Sequence, residues 1–395
     1  MKEKTILFSQ LLGPSLWQYK VAKALRKKNK KVSLFLVLKP KGEKKDLKET
    51  FSEVFSLNLE NLKPLTIIKT FFLYPMNFFH FFYKLFTIKP EVLVAEGAPH
   101  YLASIFIKIF KGRCPRIYFP YDMSYSRFKK PEKFIPKREL WGERTAFKEC
   151  DAFIYKSEKG ELSLIPKEFN IFLKPNLNFP CYVLGEWNKD YNPKRKLSLK
   201  DKEIHIVHAG TFQIVDDHLG GPGKDIAKEF VKQHIHYHVY PARDKVPQEH
   251  IEEIAPTKEL KKYLHIHDFV TPETLSEQLL SYDFGLYPVN YTNNAKPNAV
   301  KYPGTNKFAT YLESALPILV LKEVEMYSSL VEKNNIGVVI DKYPGCKKKL
   351  EKAMEKNKYK KMIKNLYKFR KEYSVENHIN ELLSFITLLK SSKAI

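Results

Sequence analysis

The feature that most constrains this chain is an alternation that runs once, lapses, and runs again. Short apolar runs such as "KTILFSQLL", "VSLFLVLKP", "EVLVAEG", "PRIYFPYD" and "DAFIYKSE" alternate with longer segments of helical periodicity, "SLWQYKVAKALRKKNKK", "PHYLASIFIKIFKG" and "KRELWGERTAFKEC". Apolar strands separated by amphipathic helices predict a parallel sheet covered on both faces. After "FNIFLKPN", read as a last strand, Pro, Asn and Lys replace the periodicity in "LNFPCYVLGEWNKDYNPKRKLSLKDK". The pattern then resumes with "EIHIVHAGTF", "IHYHVYP", "LHIHDFV", "DFGLYPV", "LPILVL" and "IGVVID". The expected fold is α/β, with two Rossmann-like doubly wound domains facing a cleft. Residues 1–178 and 202–364 form the domains, 179–201 the linker, and 365–395 a C-terminal helix packing back on the first domain.

A length of 395 residues suits two domains. The excess of 68 basic over 44 acidic residues, a net charge of +24, predicts a surface that attracts anions: nucleotides, nucleic acid or acidic lipid headgroups. No RNA-binding signature, zinc-finger spacing or basic zipper accompanies that charge, so nucleic acid is not expected as a partner. Cys114, Cys150, Cys181 and Cys346 lie far apart with no CxxC pair, which argues against a zinc site or a disulfide framework and fits a reducing cytosol. The basic start with its very short apolar run reads as a first buried strand rather than a signal peptide.

Leu65 to Pro90, "LTIIKTFFLYPMNFFHFFYKLFTIKP", is dense in phenylalanine but interrupted by Lys69, Pro75, Asn77, His80 and Lys84. A crossing of the membrane needs an unbroken apolar span of about 20 residues, so a transmembrane helix is not expected. Two readings stand: a helix lying on an anionic membrane surface, and a core helix packed on a sheet.

Ligand loops in doubly wound folds follow the carboxyl ends of strands. Gly13 in "LLGPS" and Gly210 and Thr211 in "VHAGTF" occupy such positions, and "KYPGTNKFATYLESALPILV" reads as loop, helix, strand. A helix start next to Lys307 suits an anion, because helix N-termini carry partial positive charge. "GGPGKD", Gly220 to Asp225, lacks the spacing of a phosphate-binding P-loop and is read as a plain loop. Asp122, ending a strand, is a candidate for binding an acceptor hydroxyl or acting as base, and His100, beginning a helix, is a second candidate. His234, His236 and His238 alternate along one strand, with His265 and His267 similar. No acidic or cysteine partner follows at ligand spacing, so they read as a solvated or satisfied strand face with no metal. The loop at His267 and Val270 falls where a nucleotide base would sit.

The order of these pieces resembles the GT-B glycosyltransferases, specifically glycosyltransferase family 4 or group 1. "GPSLWQYKVAKALRKKNKKV" is similar to that group's opening loop and helix, "ERTAFKECDAFIYKSE" to its "E…aD.ii..S" segment, "YDFGLYPV" to its "aD.gl.P" strand, and "TNKFATYLESALPILV" to its "NKlfeYlaaGlPvi". The resemblance implies a sugar moved from a nucleotide-diphosphate donor, bound mainly by the second domain, to a glycan or lipid-linked acceptor, with retention and without metal or other cofactor. It implies donor-binding roles for Tyr287, Thr305, Asn306 and Lys307. The family's ribose-binding glutamate falls on Thr310, with Glu313 one turn further on as a substitute; its second glutamate falls on Tyr302. Its glycine falls on Ala315, implying slightly wider helix spacing, and its cleft histidine at or beside Asp122. A cytoplasmic enzyme, peripheral at the inner membrane face, is the expectation. The rivals are a nucleotide-sugar 2-epimerase of the same architecture and a non-catalytic protein binding nucleotides or anionic lipid.

Overall fold

The computed structural model describes residues 5–11, 13–38, 44–61, 63–123, 125, 128–157, 162, 165, 169, 174–212, 223–241, 246–289 and 296–392. The chain divides into two compact units: Met1–Ser126, Lys130–Pro180 and His378–Ile395 form the first, and Arg127–Lys129 and Cys181–Asn377 the second.

In the first unit the order is β1 (Thr5–Gln10), α1 (Leu16–Lys27), β2 (Lys31–Leu38), α2 (Lys44–Thr50), β3 (Glu53–Leu59), α3 (Pro64–Leu73), α4 (Pro75–Thr87), β4 (Val92–Glu96), α5 (His100–Ile109), β5 (Arg116–Phe119), α6 (Lys137–Glu149), β6 (Ala152–Tyr155) and β7 (Asn176–Asn178). The sheet runs β3-β2-β1-β4-β5-β6-β7, and its pairings are parallel. β1, β4, β5 and β6 are buried along their whole length, as their predominantly apolar runs require. Ser15 caps α1 by accepting from the Gln18 N–H at 3.1 Å. Trp17 of the same helix stacks on Phe119 at 4.1 Å and donates through its indole N–H to the Phe179 carbonyl.

The second unit holds α7 (Ser198–Asp201), β8 (His205–Gly210), α8 (Gly223–Lys232), β9 (His236–Pro241), α9 (Gln248–Ile254), α10 (Lys258–Lys261), β10 (Leu264–Ile266), α11 (Pro272–Gln278), β11 (Phe284–Tyr287), α12 (Pro297–Lys301), α13 (Asn306–Glu313), β12 (Ile318–Leu321), α14 (Glu325–Asn334), β13 (Gly337–Ile340), α15 (Lys347–Met354) and α16 (Lys356–Glu372). Its sheet, β10-β9-β8-β11-β12-β13, is again parallel. α17 (Val375–Ser391) closes the chain, and Lys390 near its end pairs with Glu91 of the first unit, to which residues 378–395 belong.

The expectation of two Rossmann-like sheets holds. The sequence reading passed over β3, whose polar Glu53, Ser56 and Asn58 suit a sheet edge. Of the strand expected in "FNIFLKPN", residues 170–173 lie outside the described residues, and the observed strand begins only at Asn176. Gly220, Gly221 and Pro222 of the rejected P-loop also lie outside them, while Gly223 opens α8. The core reading of the Phe-rich segment holds for one of its faces, and the other face is exposed. Phe78, Phe81 and Leu85 of α4 are buried, Phe81 meeting Phe35 edge-on at 5.1 Å, whereas Leu65, Phe72, Met76, Phe79, Tyr83 and Phe86 are more than half exposed. No helix among the described residues is long and apolar enough to cross a membrane.

Candidate functional site

In each sheet the chain proceeds in one direction from its first strand and then returns to continue on the other side. The crevices at these switch points, outside the carboxyl ends of β1 and β4 and of β8 and β11, are where such folds bind ligands.

In the second unit β8 and β11 stay in register only through Ile206–Phe284 and Val207–Gly285. The buried Tyr311 hydroxyl then takes over, accepting from the Ala209 N–H at 3.1 Å and donating to the Leu286 carbonyl at 2.7 Å. This splits the strands while satisfying their main-chain groups. At the split, Gly210 has φ +125°, and a Cβ built there would stand 2.7 Å from Lys307 Cε and 3.2 Å from its Nζ. The left-handed backbone therefore favours glycine, and the end of the lysine side chain lies across the strand end. Lys307 belongs to the first turn of α13. Thr305, its N-cap, makes no side-chain cap; its hydroxyl instead donates to the Tyr287 hydroxyl at 3.1 Å, and its N–H donates to the Tyr327 hydroxyl at 3.1 Å. The structure thus gathers Gly210, Tyr287, Thr305, Asn306 and Lys307 at one helix start, with Thr211 following Gly210 and exposed. His208 beneath them is buried, 3.1 Å from the Tyr237 hydroxyl. Burial first, and the Lys307 charge second, lower its pKa to about 3 against a raising effect from the Thr211 backbone, so it is neutral.

Other expected ligands lie elsewhere. Glu313 is at the far end of α13, buried, its Oε1 accepting the Leu184 N–H at 2.7 Å; it anchors the linker rather than standing in for a ribose ligand. Thr310 donates its hydroxyl back to the Asn306 carbonyl at 3.2 Å. Tyr302 donates to Glu325. Val270 packs partly buried against the core, and His267 stacks on Tyr240 at 4.3 Å, one strand removed from β8. Ala315 has φ +48°, and the Leu316 and Ala315 N–H groups bond to the Tyr311 and Leu312 carbonyls. This is a Schellman ending, so the glycine preference at this position reflects left-handed backbone and not helix spacing.

In the first unit Gln10 ends β1 and Glu96 ends β4. Glu96 accepts from Gln10 Nε2 and from Ser15 Oγ, both at 2.8 Å. Burial raises its pKa to about 8, with those bonds and the Lys156 charge opposing, so the carboxyl is protonated at neutral pH. Buried Lys156, at the end of β6, lies 3.7 Å from Asp122 Oδ1 and over the Tyr121 ring. Asp122 is half exposed. His100 is buried: Nδ1 is 2.6 Å from the Tyr118 hydroxyl and Nε2 2.8 Å from the Asp122 carbonyl. Both ring nitrogens are thus engaged, and Nε2 ties the ring to the Asp122 backbone. A Cβ at Gly13 would meet nothing within 4 Å. Sequence reasoning missed Glu96 and Lys156, although both are charged residues closing apolar strands.

The histidine reading also needs correcting. β9 begins at His236, and His234 sits before it with φ +54°, stacked on Tyr263. Acidic partners exist but precede the strands: Asp201 Oδ2 is 2.9 Å from His205 Nε2, and Glu203 Oε2 is 2.9 Å from His236 Nε2.

Residues 227–384 match the family model described as the glucosyltransferase 3-like, C-terminal domain. No curated protein matches the chain. Among solved structures, a sucrose-phosphate synthase from Thermosynechococcus elongatus superposes with a TM-score of 0.67 at 11% identity, over 99% of this chain and 100% of that one. Anabaena HepE, solved with UDP-glucose, gives 0.62 at 13% identity over 96% and 99%. WaaG, a glycosyltransferase involved in lipopolysaccharide biosynthesis, gives 0.59 at 12% identity over 97% and 99%. The chain thus shares the fold of these solved structures, two Rossmann-like domains, and its residues 227–384 are similar to the C-terminal domain of glucosyltransferase 3-like proteins.

Proposed function

We propose that this enzyme takes a sugar from a nucleoside-diphosphate donor held by the C-terminal domain, with retention and without a catalytic metal. The observation that carries this is the Lys307 ammonium lying across Gly210 at the switch point, in the first turn of α13. When the bond from the anomeric carbon to the diphosphate breaks, the leaving oxygen gains negative charge. A fixed cation and a helix N-terminus there stabilise it more in the transition state than in the ground state. HepE's UDP-glucose makes a UDP-sugar the first donor to try. Asp122, with Lys156 beside it, is the polar pair the N-terminal domain offers to an acceptor hydroxyl, on a glycan or lipid-linked glycan.

The test is Lys307→Ala, assayed with a nucleotide sugar the enzyme is shown to use. A loss of roughly 10²–10³ in kcat is expected, with an unchanged circular dichroism spectrum. Unchanged kinetics would remove the reading.

The exposed row on α3 and α4 supports work at a cytoplasmic membrane face. Large apolar side chains line it, and Lys63 and Lys69 are available for acidic headgroups. Because Phe78 and Phe81 are buried, the informative variant is Phe72→Ser, Met76→Ser, Phe79→Ser and Phe86→Ser combined. It should no longer sediment with anionic liposomes while keeping the wild-type melting temperature. Undiminished sedimentation argues against the membrane role.

A further inference from the structure

We propose that the C-terminal domain carries a binding site for a divalent transition metal of the zinc class, formed by Asp201, Glu203, His205 and His236. It lies where β8 and β9 begin, at the opposite strand ends from Gly210 and Lys307, and is independent of the donor assignment.

The local backbone builds it. α7 ends at Asp201, Lys202 turns the chain with φ +65°, and Glu203 leads into β8. Asp201 Oδ1 accepts the Glu203 N–H at 2.9 Å, which aims Oδ2 at the two histidines: 2.9 Å to His205 Nε2 and 3.8 Å to His236 Nε2. His205 and His236 are register partners on adjacent parallel strands, so their rings stack at 4.3 Å with planes 4° apart and present their Nε2 atoms side by side. Glu203 Oε2 approaches His236 Nε2 at 2.9 Å and brings a second carboxylate to the cluster. The ligand atoms of Asp201, His205 and His236 all fall within 4.8 Å of one another. Around a tetrahedral zinc with bonds near 2.0–2.1 Å, ligand atoms stand about 3.4 Å apart, so these three ligands need only small adjustments, and Glu203 reaches the fourth position by rotating its flexible side chain.

The next layer fits the same purpose. His205 Nδ1 is 3.0 Å from His238 Nε2, His236 Nδ1 is 2.9 Å from His265 Nε2, and His238 Nδ1 is 3.0 Å from His267 Nε2. Either uniform tautomer satisfies every one of these bonds. With the protons on Nε2, His205 and His236 donate to the two carboxylates. With the protons on Nδ1, the same chain of bonds holds and both Nε2 lone pairs are open to a cation, which the carboxylates then share. Metal-ligating histidines characteristically donate their other N–H in this way. Two nitrogen and two carboxylate ligands suit zinc, and two negative charges neutralise it in a protein whose net charge of +24 otherwise repels cations. Asp201 and Glu203 are partly exposed, which gives the ion an entry path. This revises the sequence expectation against zinc, which rested on cysteine spacing and on acidic partners following the histidines.

The experiment is a calorimetric titration of zinc into the full chain, carrying no histidine tag and stripped with chelator, alongside cobalt spectroscopy. One zinc per chain, a raised melting temperature and visible absorption of four-coordinate cobalt are expected. The D201N/E203Q double variant should lose stoichiometric uptake while melting, without metal, near the wild-type temperature. H265Q, which alters only the supporting bond, should weaken binding ten- to a hundredfold. The surface variant H378Q should bind as wild type does. Absence of stoichiometric zinc uptake by the wild type, or equal uptake by D201N/E203Q, overturns the proposal.

Discussion

α5 and α13 hold the same place in the two sheets, each joining the first strand beyond the switch point to the next, yet their N-termini are used differently. At α5 the chain supplies its own anion. Glu139 of α6 accepts the His100 N–H at 2.8 Å, with a further backbone bond from Tyr101. At α13 no acidic residue stands in the first turn, the N-cap hydroxyl is turned to Tyr287, and Lys307 lies across Gly210. One helix start receives a carboxylate from a neighbouring helix, and the other carries a lysine in its first turn. The difference teaches that topology places two equivalent helix starts at the two switch points, while side chains decide the charge each one presents.

The buried ionisable groups at the two switch points differ in the same sense and make the comparison breakable by pH. Glu96 in the first unit has its pKa raised from an ordinary 4.5 to about 8. Between those values the folded state holds a proton that the unfolded chain has lost, so stability falls as pH rises through this window, by about 1.4 kcal/mol per pH unit. His208 in the second unit has its pKa lowered from 6.5 to about 3. The unfolded chain then binds the extra proton, so its contribution is complete above 6.5 and is lost as pH falls toward 3. Glu96→Gln should therefore flatten the decline in denaturation free energy between pH 6.5 and 8, and His208→Gln should flatten the decline below pH 4.5. Between 4.5 and 6.5 the two groups oppose each other. A Glu96→Gln variant that keeps the wild-type alkaline slope would mean Glu96 is ionised in the native protein, and the contrast between the crevices would collapse.

How far the sequence revealed this depends on range. Strands buried on both faces announce themselves locally, which is why β1, β4, β8 and β12 were readable, while β3 with its alternating polar residues was not. Asn306 and Lys307 could be marked as a polar helix start, but nothing in "VHAGTF" says that its glycine yields space to that lysine, since the pairing exists only after the sheet forms. Glu313 shows the opposite failure. Helical phase marks it as a ligand candidate one turn beyond Thr310, but at that depth its carboxylate is captured by the Leu184 N–H. The histidine cluster depends on register across β8, β9 and β10, and register between strands joined by helices is not written in any one segment.

The helix exits extend the comparison to smaller energies. The chain leaves α5 through Gly112 at φ +76°, two residues past the cap Phe110, and leaves α13 through Ala315 at φ +48°, one past the cap Ser314, so both exits use left-handed backbone with different residues. A Cβ at Gly112 meets nothing within 4 Å, so Gly112→Ala isolates the backbone penalty and should destabilise the protein by about 1 kcal/mol. At Ala315 the converse substitution relieves a similar strain, but it gives up a fully buried methyl worth about 0.8 kcal/mol and adds unfolded-state freedom. Ala315→Gly is therefore expected to lie within about 0.5 kcal/mol of neutral. Ala309, equally buried but inside α13, has no strain to relieve, and Ala309→Gly should cost about 2 kcal/mol from helix propensity and burial together. Urea denaturation of the three variants measures the differences directly. If Ala315→Gly proves as costly as Ala309→Gly, position 315 carries no left-handed strain, and the two helix exits are not equivalent.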